Sequence, residues 1–468
     1  MRKILTSVLF GAAVTSLSSQ QKPNVVFIVT DDLGYGDLSS FGQEKFQTPN
    51  IDQLALNGTR FTRSYSGTTV SAPSRASLLT GLHTGHTPIR GNAEVQPEGQ
   101  KPLPANIYTI FTLFKDAGYT TGAFGKWGLG YPGSSGDPVN QNIDQFYGYN
   151  CQRMAHNYYP SHLWHNTTKV EFPENNAGAF GAYSQSLIQE KTLQFIEEQN
   201  DNPFFLFVPM VLPHAELVVP EDSIILNLRG KFPETPYKGT DSGPNFRKGG
   251  YMSQDYPRAT HAAMVKRIDL YIAQILDKLK EHSLLENTLI IFTSDNGPHR
   301  EGGGDPDFFN SNSIYRGYKR DLYEGGIRVP TIISWQGKVA EGKESNFPFA
   351  FWDYLPTFAE ILNTELQVET DGISILPTLT GEGEQDQRDY FYFEFQEMGG
   401  RQAVIKGDWK LLHLDIRNDA IYELYNIASD PSENHNIIEQ FPEIYEELKT
   451  IMKDARTEDP DWPLFEQK

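Results

Sequence analysis

Four short apolar runs in this chain each empty into charged or polar residues. Val25–Val29 leads into Asp31 and Asp32, Thr120–Phe124 into Lys126, Phe204–Val211 into His214, and Leu289–Thr293 into Asp295 and Asn296. Runs of this length, separated by helical segments, read as strands buried on both faces, which is the pattern of a parallel sheet. In an open α/β sheet the carboxyl ends of such strands line one edge, and ligands bind there. The chain is therefore expected to bring these residues to one edge of one sheet. A single polar ending would mean little; four together point to a site.

Helical stripes supply the rest of the core. Ile107, Ile110, Phe111 and Phe114 recur at helix spacing, as do Met264, Val265, Ile268, Ile272, Ile275, Leu276 and Leu279. After about Gly381 the pattern changes. Tyr390–Phe395, Gln402–Lys406, Trp409–Leu414 and Ala420–Tyr425 read as short strands joined by turn residues, with a last helix over about 443–456. No repeat of fixed period interrupts the 468 residues.

Arg2 and Lys3 precede an apolar stretch from Ile4 to Leu17, with small residues at Ser16 and Ser18. This predicts a secretory leader over 1–19, too short to span a bilayer, and no later segment is long enough to do so. Cys151 is the only cysteine, so neither an intrachain disulfide nor a thiolate metal site can form, and a small buried residue is the expected role. A formal charge of −20 disfavours nucleic acid, which asks for a basic stripe. An anionic ligand would need cations converging locally.

Ser71-Ala72-Pro73-Ser74-Arg75-Ala76-Ser77-Leu78-Leu79-Thr80-Gly81 is the most informative segment. Pro73 suits a helix's first turn and Gly81 its end. Ser71 would sit beside the helix N-terminus, where free N–H groups favour an anion, and Arg75 would add a planar cation for a tetrahedral oxyanion. On these residues alone, a capped helix with a solvated arginine is an equally good reading.

The segment resembles the signature of the sulfatase family: Cys or Ser, any residue, Pro-Ser-Arg, then Leu-Thr-Gly. The similarity runs from Asp31 to about Asp430 and includes Thr48-Pro49-Asn50-Ile51-Asp52, Gly125-Lys126-Trp127, Ser294-Asp295-Asn296-Gly297 and Glu324-Gly325-Gly326-Ile327-Arg328-Val329-Pro330. The resemblance implies an alkaline-phosphatase-like α/β/α sandwich over 20–381 as the catalytic domain. A smaller C-terminal subdomain over 382–468 would hold an antiparallel sheet and a helix. It implies that Ser71 is oxidised to formylglycine, whose hydrate attacks sulfur with one hydroxyl and expels sulfate with the other. A serine here implies a Ser-type, radical-based maturation enzyme as a partner, although a serine standing in for a cysteine would read the same.

Asp31, Asp32, Asp295 and Asn296 offer only oxygen ligands, a set suited to Ca2+ or Mg2+. The resemblance implies one Ca2+ per chain, with residue 71 as a further ligand. It also makes Arg75, Lys126 and Lys319 contacts of the sulfate and its nucleophile, and His214 the proton donor to the leaving oxygen. One position departs from the family. Many members carry histidine after the lysine-tryptophan pair, where this chain has Gly128. His156 is the expected replacement, as a base or a substrate contact, with Arg153, His299 and Glu301 as further candidates around the substrate.

The expected activity is removal of sulfate from terminal galactose or N-acetylgalactosamine of glycans by an exported, periplasmic or secreted bacterial enzyme. Two alternatives stay open. One is a phosphomonoester or phosphonate hydrolase of the same superfamily. The other is a calcium-dependent glycan binder in which Ser71 is never oxidised.

Overall fold

In the computed structural model, residues 22–199, 202–244 and 246–465 are described, and the secretory leader expected at 1–19 lies outside them. Alternation within the strands sets the layers. In β1 (Asn24–Thr30), Val25, Phe27 and Val29 face one side and Val26 and Ile28 the other, and all five are buried. The chain then lays down β2 (Thr59–Phe61), β3 (Ser64–Tyr65), β4 (Thr120–Lys126), β5 (Gln145–Tyr149), β6 (His162–His165), β7 (Thr168–Glu171) and β8 (Phe204–Pro209). After these come β9 (Thr288–Ser294), β10 (Thr331–Ser334), β11 (Lys343–Ser345) and β12 (Phe349–Ala350). Ten of them form one sheet in the order β11-β2-β10-β9-β1-β8-β4-β5-β6-β7, while β3 pairs with β12. The centre, β9-β1-β8-β4-β5, is parallel throughout. Antiparallel pairs begin at β10 on one side and β6 on the other.

Both faces of that centre are covered by helices. Ser184–Glu197 and Pro257–Glu281 pack over Val26, Ile28, Leu206, Val208, Ile290 and Phe292. Ser71–Thr80, Ile110–Asp116 and Tyr354–Ile361 pack over Val25, Phe27, Phe205, Phe207, Leu289 and Ile291. Each such side chain taken wholly out of water contributes roughly 1.5–3 kcal/mol, so the two seams fix which way every strand faces. Of the expected stripe, Met264, Val265, Ile268, Ile272, Ile275 and Leu279 are fully buried, while Leu276 is half-buried at its edge. The first predicted helix starts at Ile110 rather than Ile107. The Thr109 side chain accepts from Thr112 N and caps the helix there, while Ile107 packs on the same core from outside it.

A second sheet follows, antiparallel in chain order: β13 (Phe391–Phe395), β14 (Arg401–Lys406), β15 (Trp409–Leu414) and β16 (Ile421–Asn426). Phe391, Phe393, Phe395, Ala403, Ile405 and Leu412 pack on Tyr65, Val70, Ile327 and Trp352 of the large unit. Tyr392, Val404, Leu411 and Leu424 pack on Leu448 and Met452 of the Pro442–Asp454 helix. The small sheet is thus clamped between that helix and Val70, which immediately precedes Ser71. Among the described residues no helix is long and apolar enough to cross a membrane, and Cys151 is free and buried.

Candidate active site

The four polar-ended runs are neighbours, in the order β9-β1-β8-β4. Pairing of Thr30 with Ser294 and of Val29 with Pro209 sets their ends level. Backbone bonds extend the register, Asp295 N donating to Thr30 O at 2.9 Å and Asp31 N to Leu212 O at 3.1 Å. Asp31, Asp32, Asp295 and Asn296 therefore emerge side by side, each at 0% exposure. Asp32 N donates to Asp295 Oδ1 at 3.2 Å and Asn296 Nδ2 to Asp32 Oδ1 at 2.6 Å. Gly297 follows because the chain there passes against the Glu324-Gly325-Gly326 turn: a Cβ at 297 would lie 1.9 Å from Gly325 O.

Ser71 is the first residue of the Ser71–Thr80 helix, after Val70, rather than a cap preceding it. Its hydroxyl points away from the helix backbone, donates to Asp31 Oδ1 at 2.9 Å and lies 3.2 Å from Lys126 Nζ. Lys126 Nζ also bonds Asp31 Oδ2. Gly81 ends the helix in the left-handed region. Ser74 ties the helix to the sheet edge by donating to Asp295 O at 2.6 Å. Arg75 is buried, not solvated. Its Nε donates to Asp295 Oδ2 at 2.9 Å and its Nη1 to Lys126 O at 2.7 Å. Its Nη2 lies 3.7 Å from Asp31 Oδ2 and makes no hydrogen bond among the described residues.

A second arc completes the site. Lys319 Nζ donates to Asp32 Oδ2 at 2.9 Å, to His214 Nε2 at 2.9 Å and to Glu301 Oε2 at 3.2 Å. His214 Nδ1 faces the Ala215 carbonyl, which places the ring proton on Nδ1 and leaves Nε2 to accept from Lys319. The His156 ring stacks on His214 at 4.8 Å and His299 lies 5.7 Å from it. Glu301 is held by Arg320 and by Tyr251 Oη at 3.2 Å. Arg153 is not drawn into this network. Its side chain is 42% exposed, pairs with Glu94 at 3.2 Å and donates to Lys248 O at 2.7 Å.

Burial and charge set the protonation states. Burial would raise the Asp31 carboxyl, but Lys126 first, with Arg75 and Lys319, holds it well below the usual carboxylate range. Burial and the neighbouring Asp31 push Asp295 up. Burial pulls Lys126 down, and it keeps His214 neutral with help from Lys319. Asp32 and Glu301 outweigh burial at Lys319 and hold it charged.

The donor set fits a hard divalent cation. Three carboxylates and one carboxamide converge, and Asn296 Oδ1 is buried with no hydrogen-bond partner among the described residues. Asp31, Asp32 and His214 also bring ligand atoms within 4.8 Å of one another. The imidazole, however, is engaged with Lys319. Asn92, Gln100, Gln152, Tyr251 and Arg320 join the surroundings of the site from loops. None carries a periodic or motif signal that sequence reading could have found.

Comparison with known proteins agrees with this architecture. The family model described as Sulfatase matches residues 23–364, and one described as N-sulphoglucosamine sulphohydrolase, C-terminal, matches 316–458. An N-acetylgalactosamine-6-O-sulfatase of Bacteroides thetaiotaomicron is 28% identical, covering 94% of each chain. An arylsulfatase of Hemicentrotus pulcherrimus is 34% identical over 80% of this chain and 64% of its own. The crystal structure of Ps i-CgsB in complex with k-i-k-neocarrahexaose superimposes with a TM-score of 0.78 at 26% identity, covering 95% of each chain. The chain belongs to the sulfatase family and is a sulfuric ester hydrolase.

Proposed function

We propose that this enzyme removes sulfate from sugar residues of glycans, with residue 71 as its nucleophile after oxidation to formylglycine and with Ca2+ held by Asp31, Asp32, Asp295 and Asn296. The observation that carries the reading is the position of Ser71 Oγ. It lies within hydrogen-bond reach of both Asp31 and Lys126, beside four buried ligand groups. The glycan preference draws support from the names of the relatives, one acting on an N-acetylgalactosamine sulfate and one seen with a neocarrahexaose.

The charges of the site suit a sulfate ester despite the chain's net charge. Asp31, Asp32 and Asp295 are matched by Arg75 and Lys126, both buried, and by Lys319, whose side chain is 5% exposed. A divalent cation would give this balanced cluster the excess positive charge that a sulfate ester monoanion offsets, and would stabilise charge building on the sulfate oxygens. Lys126 and Asp31 orient the nucleophilic oxygen, Asp31 by accepting its hydrogen bond. Arg75 Nη2 offers a free N–H donor to a sulfate oxygen, and the Lys319 ammonium, whose three N–H groups are engaged, adds its charge. His214 Nε2 carries no proton of its own, so the leaving oxygen is protonated through it by the proton that the Lys319 ammonium donates to Nε2, leaving Lys319 as the amine. A phosphomonoesterase reading would ask for imidazole among the metal ligands, but His214 already accepts from Lys319, and both nitrogens of His299 are engaged, Nε2 with Pro213 O and Nδ1 with Glu301 N. The sequence of residues 1–19 supports export.

The test is sulfate release from a panel of sulfated galactose and N-acetylgalactosamine derivatives, with Ca2+ and with a chelator. The protein is coexpressed with a Ser-type maturation enzyme, and intact mass reports the loss of hydrogen at residue 71. Release that requires Ser71 and falls on chelation is the expected result. An unmodified residue 71 in natively matured, active protein would overturn the nucleophile assignment.

A further inference from the structure

Gly128 is the position where this chain departs from the family pattern, and its surroundings show what fills the space. The backbone turns there with φ +73°, and a Cβ would lie 2.5 Å from Gln152 Cγ and 2.8 Å from its Nε2. The arrangement follows from the sheet. β4 and β5 stay in register past their ends, Trp127 N donating to Tyr149 O at 2.9 Å and Gly128 N to Asn150 O at 3.1 Å. This carries the segment after β5 alongside Gly128. A side chain at 128 and the Gln152 amide thus exclude each other.

Gln152 is 6% exposed, and its Nε2 finds no hydrogen-bond partner among the described residues. Gln100 is 4% exposed, and its Oε1 likewise finds none. Both side chains line one cavity of about 500 Å3. That cavity borders the reacting groups on two sides. Asn92 lines it and accepts from Ala72 N at 3.2 Å, next to Ser71; His156 lines it and stacks on His214. Buried amides are costly unless something hydrogen-bonds them. One of these atoms is a donor and the other an acceptor, which is what a hydroxyl group needs. The cavity's charged members, Glu94 and Arg153, pair with each other at 3.2 Å, so the amides face a space suited to a neutral polyol rather than to a second anion.

We propose that Gln152 and Gln100 form the subsite that reads hydroxyl groups of the sugar ring bearing the sulfate. Gln152 Nε2 donates to one ring oxygen, and Gln100 Oε1 accepts from a ring hydroxyl. Gly128 is required because any larger residue would displace the Gln152 amide. The inference rests on the carbohydrate reading above, and its test is chosen to separate the two.

Ser71→Ala protein, which binds without turnover, is titrated calorimetrically with galactose 6-sulfate, N-acetylgalactosamine 6-sulfate, galactose 4-sulfate and inorganic sulfate. The titrations are repeated with Gln152→Leu, Gln100→Leu or Gln152→Asn added. The expected result is a fall of about 10- to 100-fold in affinity for the preferred sugar sulfate in each variant, with inorganic sulfate changed by less than about threefold. Gln152→Asn keeps the polarity and shortens the reach, so it covers the case in which leucine disturbs the fold. Unchanged sugar affinity, or equal losses for sugar and inorganic sulfate, would overturn the subsite. If inorganic sulfate binds while no sugar sulfate binds better than it, the carbohydrate reading itself fails, and the subsite with it.

Discussion

Lys319 and Glu324 leave the same loop and enter two different buried ionic clusters. Lys319 joins the sheet edge, where three carboxylates and three cations meet beside a cavity. Glu324 turns the other way, to Lys410 of β15, which lies 3.0 Å from it and 2.9 Å from Glu433, all three at 0% exposure. Tyr65 Oη and Arg328 Nη1 donate to Glu324 at 3.0 and 3.2 Å, and Glu324 N donates to Glu433 at 2.6 Å. The second cluster joins the small sheet to the large unit. The first leaves a guanidinium nitrogen and a carboxamide oxygen unmatched, whereas the one atom of the second without a hydrogen bond among the described residues, Glu433 Oε1, lies 2.9 Å from the Lys410 ammonium. Buried charge alone therefore does not mark a site. Donors and acceptors left over for a ligand do.

The largest effect separating the clusters is expected at Ser71. Ser71→Ala removes the nucleophile, and turnover of any sulfate ester should fall about 10^4-fold or more, while the thermal midpoint stays close to the parent's. Lys410→Met should do the reverse. It strands Glu324 and Glu433 in a dry interface, and breaking a buried ion pair from one side costs about 3–5 kcal/mol. Denaturant unfolding would show that loss, with kcat retained below the transition. A Lys410→Met protein that folds normally but no longer turns over would erase the distinction.

Glu216 sharpens the comparison because it has no lysine of its own. It is 1% exposed, and its carboxylate is reached by Met252 N at 3.1 Å. Burial pushes its pKa from 4.5 up to about 7. The folded state then binds the proton more tightly than the unfolded one. Its contribution is fully present below pH 4.5, is lost as pH rises toward 7, and changes little beyond. The span is about 3 kcal/mol. Glu216→Gln should flatten that part of the stability-versus-pH curve and be more stable than the parent at pH 8. A parent curve flat between pH 5 and 7 would show that Glu216 is satisfied after all.

Sequence legibility divides along the same line as the clusters. Asp31, Lys126, His214 and Asp295 could be read because strand alternation and length are local properties, and a parallel sheet then puts the strand ends together. Ser294-Asp295-Asn296-Gly297 and Glu324-Gly325-Gly326 were each legible as motifs, but not their pairing, and the close approach at Gly297 explains the glycines. Lys410 and Glu433 gave no signal. A charged residue inside a short strand or after a turn reads as solvent-facing until the docking of a second sheet buries it. Gln100 and Gln152 were equally silent, since their meeting depends on how two loops fold over β4 and β5. Arg153 and His156 lie close in sequence, yet only His156 reaches the proton-donor side.

His156 offers the smallest and most discriminating test. Two roles were open to it, base or contact, and its surroundings favour positioning. Its Nδ1 faces Gly249 O at 3.3 Å, and burial pulls its pKa down to about 3, so it is neutral and weakly basic wherever the enzyme works. Its ring lies 19° from parallel with His214, and a stacked pair of this kind contributes about 0.5–1.5 kcal/mol. His156→Ala should therefore lower kcat about tenfold at most, by letting His214 leave its line to Lys319. His156→Phe keeps a flat ring and should recover most of that loss, with an unchanged pH profile. If alanine and phenylalanine were equally damaging and one limb of the profile vanished, the ring nitrogen would be moving a proton. The vacancy at Gly128 would then be filled chemically by His156, not only sterically by Gln152.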